Sequence, residues 1–162
     1  MGHKTRQNAA GEWAEMVGLP GVLVPLLAAT TVTGDATTST TAVTGLDPYT
    51  LATILLTVGG KTMDASTTMD VYIQYSPDGG TTWDDIAHYA QITNAAIGNG
   101  TYVLFLNAFG GSGAAGRVTT NGSLAAGTVR NVSFCDRMRV QYKSANYAGS
   151  DTVTLTVSAF LQ

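Results

Sequence analysis

The sequence predicts an all-β protein, namely an antiparallel β-sandwich of jelly-roll or immunoglobulin-like type with about seven or eight strands. The first observation is the composition: 12% of the residues are charged and 44% are hydrophobic, with about 25 threonines and 19 glycines. β-Branched residues favour strands, and glycines favour turns. The second observation is that short apolar or alternating segments follow one another from residue 29 onward, without the spacing of βαβ units.

The length of 162 residues corresponds to one domain, which can bury roughly 70% of the surface of the unfolded chain. Residues 1–28 differ in kind from the rest and are predicted to form an extended N-terminal arm, with the β-sandwich domain at 29–162. Residues 110–131 are rich in Gly, Ala, Ser and Thr and lack strand patterning. Loops of that length are uncommon in compact domains, so we expect this one to be either mobile or ordered by contact.

The arm contains a short helix pattern. Asn8 can cap a helix over about Ala9–Val17, whose apolar residues share one face, and Gly18 supplies its end. A helix of two turns is too short to be stable alone, so its apolar face must be buried, either on its own domain or on a neighbouring subunit. We expect the neighbouring subunit, bound through the apolar residues Trp13, Met16, Val17, Leu19, Val22 and Leu23.

The first strand candidates of the domain differ in the distribution of their apolar residues. Thr30–Thr33 and Thr37–Thr44 are polar and predict edge or surface strands. Leu51–Val58 is apolar on both faces and should lie centrally, and Tyr102–Phe109 is again apolar on both faces.

The other candidates alternate between apolar and polar residues, as half-buried strands do. Met69–Ser76 alternates, and Thr82–Ile92 follows it after a tight glycine turn. The clearest alternation is in Arg137–Lys143 and Val153–Leu161. These two segments are predicted to form a hairpin through Asn146–Ser150.

One turn motif is specific. The residues from Ser76 onward read SPDGGTTW, which matches the pattern S-x-D-x-G-x-T-W and resembles the Asp-box hairpin of sialidase-type propellers. The pattern has a physical basis, because Pro77 presets φ, the Asp78 carboxylate can accept N–H groups of the turn, and the glycines allow positive φ. We expect a structural turn formed by Ser76, Asp78, Gly80, Thr82 and Trp83.

Carboxylates in catalytic pairs are not indicated. Both glutamates lie in the arm, and the arginine triad and tyrosine–glutamate pair of a sialidase cannot be assembled. Asp84 and Asp85 follow Asp78 closely, but adjacent aspartates on a strand point to opposite faces. We therefore expect a solvated turn here, rather than the two facing carboxylates of a glycoside hydrolase.

The remaining chemistry-bearing residues are few. Cys135 is the single cysteine, so it can form neither an internal disulfide nor a zinc site with a second sulfur. It could act as a nucleophile with His88 as base, but His88 falls in register with Ile86 and is expected to be an ordinary face residue. Cys135 is expected to be a small buried hydrophobe. No cofactor fingerprint or metal-ligand spacing is present, so we expect no enzyme, no cofactor and no bound metal.

Charge and hydropathy restrict the partners. The net charge of −3 leaves no basic field for nucleic acid, and the longest apolar stretch, Val17–Ala29, is interrupted by prolines and too short to span a membrane. We therefore expect neither nucleic acid nor membrane as a partner. The local positive row is either the hydrated face of a sheet or a second docking face for acidic partner loops. It comprises Arg130, Arg137, Arg139 and Lys143.

These features resemble small structural proteins of tailed-phage virions. The resemblance rests on the composition of the body, on the hairpin VYIQYSPDGGTTWDDIAHY and on the C-terminal CDRMRVQYKSANYAGSDTVTLTVSAFLQ, and it covers roughly residues 65–162. It implies a non-enzymatic building block, most often a decoration (cement) subunit on the capsid surface. Such a subunit would bind the major capsid protein and form a homo-oligomer, with a trimer favoured.

Two alternatives remain open at this point. The chain could be a structural component of the neck or tail of the particle. It could instead be a carbohydrate-binding β-sandwich, which would need two or three exposed aromatic rings in a row. The candidates for those rings are Tyr72, Tyr89 and Tyr147.

Overall fold

The computed structural model describes residues 21–107, 120–130 and 135–162 in full and residues 4–7 and 13–16 by their backbone. These residues form strands and no helix. The strands are β1 (Lys4–Gln7), β2 (Trp13–Met16), β3 (Val22–Val32), β4 (Ala36–Ser39), β5 (Leu51–Thr62), β6 (Thr68–Ser76), β7 (Asp84–His88), β8 (Ile92–Thr93), β9 (Gly100–Asn107), β10 (Arg137–Ala145) and β11 (Thr152–Leu161).

Two antiparallel sheets make up the body. The five-stranded sheet has the order β4-β10-β6-β7, with β8 also paired to β6, and the four-stranded sheet has the order β3-β11-β5-β9. Strands β1 and β2 pair with each other in a separate two-stranded sheet. The prediction of an all-β, antiparallel protein is therefore confirmed.

The hydrophobic core consists of buried residues from both sheets. Ile54 and Leu155 from the four-stranded sheet belong to the same hydrophobic cluster as Ile73 and Met138 from the five-stranded sheet. Each such side chain contributes roughly 1.5–3 kcal/mol when it leaves water. A hydrogen bond also joins the two sides, because the hydroxyl of Tyr89, directly after β7, donates to the carbonyl of Ile54 in β5 at 3.0 Å.

The predicted hairpin of the last two strands is wrong. β10 pairs with β4 and β6, whereas β11 pairs with β3 and β5, so the connection at 146–150 passes from one sheet to the other. The buried Asp151 carboxylate holds this crossing, since it accepts the N–H of Asp64 at 2.9 Å and that of Ala148 at 3.0 Å. Alternation predicts that a strand has one buried face, but it does not predict which strand lies beside it.

The N-terminal segment also differs from its prediction. Trp13–Met16 is a strand where a helix was predicted over Ala9–Val17, and the rest of that range lies outside the described residues. A short apolar pattern fits a helix and a strand about equally well. In addition, Val22–Leu27, assigned above to the arm, belongs to β3, so the sheet begins before residue 29. Pro25 is tolerated there because β3 is an edge strand.

Two strands that are apolar on both faces have different positions. β5 lies between β11 and β9 and is central, as predicted for Leu51–Val58. β9 pairs only with β5 among the described strands and stands at the edge of the sheet. One face of β9 therefore contributes Leu104 and Leu106 to the core, while its other face presents hydrophobic side chains to solvent.

Candidate functional site

The outer face of the four-stranded sheet carries hydrophobic residues in adjacent positions. On this side, Phe160 of β11 lies opposite Leu23 of β3 and Thr53 of β5, and Thr53 lies opposite Phe105 of β9. A single row of side chains thus crosses all four strands. The next row contains Leu55 opposite Val103. We call this surface the apolar face, formed by Leu23, Leu51, Thr53, Leu55, Val103, Phe105 and Phe160.

Four of the six exposed large hydrophobic residues in the described parts of the chain lie on this surface. Phe105 is 74% exposed, Leu23 63%, Val103 50% and Leu51 46%. Single exposed hydrophobic residues are ordinary on protein surfaces. Several in neighbouring rows form a contiguous patch, and such patches mark surfaces that bind other molecules.

The apolar face has no charged residue to keep it in water. In the four strands of this sheet, all of which the structure describes, the one charged residue is Lys61. Its ammonium donates to the carbonyls of Thr93 at 2.7 Å and Ile97 at 2.8 Å, and lies 3.2 and 3.3 Å from those of Asn94 and Ala96. Edge strands are usually protected from pairing by charged residues, and β9 lacks this protection.

The far half of the same outer face is polar. The hydroxyls of Thr31 and Thr154 are 2.9 Å apart, and those of Thr57 and Thr101 are 3.2 Å apart. These cross-strand pairs join β3 to β11 and β5 to β9. The apolar face is therefore bounded by a threonine surface on the same sheet.

The outer face of the five-stranded sheet is covered by its own chain. Residues 120–130 run beside β7, with the N–H of Arg130 bonded to the carbonyl of Ile86 and the N–H of His88 bonded to that of Thr128, both at 2.8 Å. The loop at 110–131 was expected to be either mobile or ordered by contact. Residues 120–130 are ordered by contact with the sheet, and the remainder lies outside the described residues. We call residues 120–130 the covering segment.

Asp85 anchors the covering segment. Its carboxylate accepts the backbone N–H groups of Gly122 at 2.9 Å, Ser123 at 3.0 Å and Leu124 at 3.1 Å, together with the side-chain amide of Gln74 at 2.8 Å. Asp85 is fully buried. A buried carboxylate is stable only when its oxygens are satisfied in this manner.

The expected solvated turn at the aspartates is therefore wrong for two of its three members. Like Asp85, Asp84 is fully buried, and it accepts the N–H of Thr120 at 2.7 Å and the guanidinium of Arg130 at 2.9 Å. No local pattern in the sequence predicts the covering segment that removes both carboxylates from water. Asp78 is the member that stays at a solvated turn.

The basic row is occupied by contacts within the chain. Arg139 donates to the side-chain oxygen of Gln74 at 2.8 Å, and its guanidinium lies 4.1 Å from the ring centre of Trp83. Lys143 donates to the carbonyl of Gly122, and Arg130 pairs with Asp84. Arg137 keeps 40% of its side chain exposed. A docking role for these four residues stays a prediction, but three of them already hold parts of their own chain.

His88 ties the same segment to the sheet. Its Nδ1 lies 2.7 Å from the carbonyl oxygen of Leu124 and its Nε2 lies 3.1 Å from Oδ1 of Asp70, and its ring stacks on Tyr72 at 4.0 Å. Both ring nitrogens therefore face oxygen acceptors. Burial raises the pKa of Asp70, but hydrogen bonds from His88 and Gln91 and nearby positive charge outweigh burial and lower that pKa.

The predicted register of His88 with Ile86 is wrong. The pairing of β6 with β7 shifts between Ile73 and Gln74, so that His88 lies opposite Tyr72 while Ile86 lies in the core. A bulge of this kind reverses the face that a residue occupies, and alternation along the sequence does not reveal it.

The Asp-box segment forms a tight turn between β6 and β7. Asp78 accepts the N–H of Thr82 at 2.7 Å and the hydroxyl of Ser76 at 2.9 Å, and the Ser76 hydroxyl accepts the N–H of Gly80 at 2.7 Å. Trp83 donates its indole N–H to the Gly80 carbonyl at 3.1 Å. Hydrogen bonds, first of all from Thr82, lower the pKa of Asp78 to about 2.

Two chemical alternatives find no support in the placement of their residues. Burial, together with Asp47 and Asp136, raises the pKa of the Cys135 thiol, which disfavours the nucleophilic thiolate. Tyr72 and Tyr89 are buried, so the row of exposed rings proposed for sugar binding is not formed. In the described parts of the chain, no group of three His, Cys, Asp or Glu residues is placed to hold a metal ion, and no helix could cross a membrane.

The predicted partner residues fall in three groups. Val22 and Leu23 lie in β3 with exposed side chains. Trp13 and Met16 lie in β2, where only the backbone is described, and Val17 and Leu19 lie outside the described residues. Sequence reasoning missed Leu51, Val103 and Phe105. The signal was the apolar character of both faces of Tyr102–Phe109, because a strand with that pattern presents hydrophobic residues to solvent when it lies at an edge.

Comparison with protein-family models, with curated proteins and with solved structures finds no match to this chain.

Proposed function

We propose that the chain is a non-enzymatic structural subunit of a phage particle, built as a β-sandwich of jelly-roll or immunoglobulin-like type. The observation that carries this proposal is the apolar face, on which Phe105 and Leu23 are exposed at opposite ends of one row that crosses the sheet, among other hydrophobic residues and without a charge. Burial of such a surface against a partner is favourable, because it removes hydrophobic groups from water. The apolar face is therefore the surface of a subunit that functions in an assembly.

The use of the aspartates supports a structural role. Six of them accept backbone N–H groups from other segments or from their own turn, and so fix loops in place. A carboxylate whose oxygens already accept hydrogen bonds is a poorer general base, because a substrate proton would have to displace an existing donor. The six are Asp35, Asp78, Asp84, Asp85, Asp136 and Asp151.

The partners we propose follow the resemblance to small virion proteins. The chain would decorate the capsid surface as a cement subunit, bind the major capsid protein and associate with copies of itself, with a trimer favoured. A place in the neck or tail is the alternative location. The N-terminal arm and the apolar face are the surfaces assigned to these contacts, whereas the basic row is assigned mainly to the internal fold.

Quantitative mass spectrometry of purified particles of the phage that encodes the chain tests this proposal. We expect the chain in many copies per particle, in a fixed ratio to the major capsid protein, and antibody labelling on the capsid in electron micrographs. A low copy number with labelling at the neck or tail would support the alternative location. Particles that lack the chain although the infected cells contain it would contradict the proposed function.

Release from the particle across a salt series tests which surface binds. The apolar face has no charges to screen, so we expect attachment to persist between about 0.1 and 1 M salt. An Arg137→Ala variant provides the comparison, since Arg137 keeps 40% of its side chain exposed. Complete release of the unchanged protein at moderate salt would assign attachment to charged groups instead.

A further inference from the structure

The apolar face is too small to hold a stable complex by itself. Its residues occupy three rows, of which one crosses all four strands, one contains Leu55 and Val103 and one contains Leu51, so that its area is at most on the order of 300–400 Å² from the spacings of a sheet. A stable specific interface buries about 800 Å² on each partner. Two apolar faces pressed together would therefore remain well below that size. The occupant must bring additional surface of its own.

The N-terminal arm of the chain joins the body at the edge of the apolar face. β3 starts at Val22, and the preceding Gly21 lies directly against the ring of Phe160, where a Cβ atom on residue 21 would overlap the ring. Twenty residues precede Gly21. Because β1 pairs back on β2, the reach of the arm is set by residues 13–20, which span up to about 28 Å and can cross onto a body in contact.

The composition of the arm suits it to cover a hydrophobic surface. Its sequence contains Trp13, Met16, Val17 and Leu19, and these apolar residues lie within seven positions. Among the strands that the structure describes, β1 and β2 pair only with each other. A two-stranded hairpin is marginal in water without a surface to pack on, so the arm itself needs a partner.

We infer that the N-terminal arm, residues 1–20, of a second copy of this chain covers the apolar face. This inference rests on the proposed function and specifies its self-association. The sequence Leu19-Pro20 favours an extended backbone ahead of β3, since the residue before a proline avoids helical conformations. An arm that continues in line with β3 leaves its own sheet at the end and reaches a neighbour. Each copy then donates an arm and accepts one, which generates closed dimers or rings.

Disulfide cross-linking between two single-cysteine variants tests the exchange directly. In a Cys135→Ala background, one chain carries Val17→Cys in the arm and a second, size-tagged chain carries Val103→Cys on the apolar face. The two are co-expressed and oxidised with copper phenanthroline. We expect a product that links the arm chain to the tagged chain. Thr31→Cys replaces Val103→Cys in the control, because Thr31 is exposed on the threonine part of the same outer face.

The other possible occupants give different products. If the arm folds back over its own sheet, a chain with both Val17→Cys and Val103→Cys cross-links internally and no mixed product forms. If two apolar faces bind each other, tagged chains cross-link in pairs through Val103→Cys. If the major capsid protein is the sole occupant of the apolar face, neither cross-linked product appears. Each of these results would overturn the arm exchange.

The oligomeric mass of full-length variants provides a second readout. We expect Phe105→Lys to weaken self-association by about tenfold or more, because it places a charge within a desolvated contact at the most exposed residue of the apolar face. Thr101→Lys, on the same strand and the same face, should leave association nearly unchanged. Light scattering across a dilution series measures both. Equal masses for the two variants and the unchanged chain at every concentration would contradict the inference.

The inference and the proposed function can fail separately. A chain that is monomeric in solution yet present in many copies on purified particles would contradict the arm exchange and leave the structural role intact. A chain that exchanges arms but never enters a particle would contradict the structural role and leave the exchange intact.

Discussion

The outer face of the five-stranded sheet is covered by residues 120–130 of the same chain, whereas the outer face of the four-stranded sheet leaves Phe105 and Leu23 in solvent. The covered face is polar, and Gln74, Asp85 and Arg139 find partners in the covering segment and in neighbouring strands. The exposed face is uncharged. Polar groups can be satisfied within one chain by a few directed hydrogen bonds. Hydrophobic groups need contact area instead, and for the exposed face another molecule must supply that area.

The two faces should therefore respond differently to substitution. A change on the covered face should affect the stability of the monomer, because its side chains bond to their own chain. A change on the exposed face should affect association and leave the monomer almost unchanged. The following substitutions test this difference, from the largest expected effect on stability to the smallest.

Asp85→Ala should have the largest effect. It leaves the N–H groups of Gly122, Ser123 and Leu124 without their acceptor, so we expect a loss of about 3–5 kcal/mol in the free energy of unfolding. Urea denaturation followed by circular dichroism measures it. The matched control is Asp35→Ala, where an exposed carboxylate accepts one backbone N–H, with an expected loss of about 1 kcal/mol. Equal losses for the two variants would show that Asp85 does not anchor the covering segment.

Gly122→Ala should destabilise the covered face by about 1.5–2 kcal/mol. Residue 122 has a φ of 65°, and a Cβ atom there would overlap the flexible ends of Gln141 and Lys143, so that Lys143 loses its bond to the Gly122 carbonyl. Gly127→Ala is the matched control in the same segment, because Gly127 has a φ of 72° and nothing within 4 Å of an added Cβ. The control should lose only the conformational part, about 1 kcal/mol. Equal losses in denaturant titrations of the two variants would contradict the close packing at 122.

Asp78 should give the turn between β6 and β7 an acid-sensitive contribution to stability. Its folded pKa of about 2 lies below the unfolded value near 3.9, so the contribution is complete above pH 4 and is lost as the pH falls toward 2. In Asp78→Asn, the melting temperature should fall by a few degrees at pH 6 and should decline less steeply than that of the unchanged chain below pH 4. Melting curves at several pH values measure both. Parallel declines would show that the turn is not held by the carboxylate.

Phe105→Ser should change the stability of the monomer by less than about 0.5 kcal/mol, because the side chain is 74% exposed. Leu104→Ala, one residue earlier on β9, removes a side chain from the core and should cost about 2–4 kcal/mol. Denaturation at concentrations low enough to keep both variants monomeric makes the comparison. A large loss for Phe105→Ser would mean that its ring packs within its own chain.

Composition and alternation predicted the fold class and most strands because both depend on local chemistry. Met69–Ser76 and Val153–Leu161 show the period of two that a half-buried strand requires, and both form strands. The pairing of β10 with β6 and of β11 with β5 depends on which faces meet in the core. That information is distributed over the whole chain, so the hairpin prediction failed.

The candidate site shows the same limit. Val22 and Leu23 lie in a segment that carries prolines, and prolines place a strand at the edge of a sheet. The exposure of these two apolar side chains agrees with that position. Phe105 was missed because a strand that is apolar on both faces can be central or can present one face to a partner. The burial of Asp84 and Asp85 depends on residues about 36 positions further along the chain, and no local pattern announces such a contact.

Lys61 has a mechanical consequence. Its ammonium, carried by β5, is held by carbonyl groups of the turn that follows β8, and one of these belongs to Ile97, whose φ of 56° is unfavourable for a branched side chain. A force applied to the four-stranded sheet therefore reaches the opposite sheet at this edge through the flexible Lys61 side chain, in addition to the packed core and the bond between Tyr89 and Ile54. The bonds between Lys61 and the turn resist sliding of one sheet over the other. Lys61→Met removes these bonds, so the sheets should shear more easily under load.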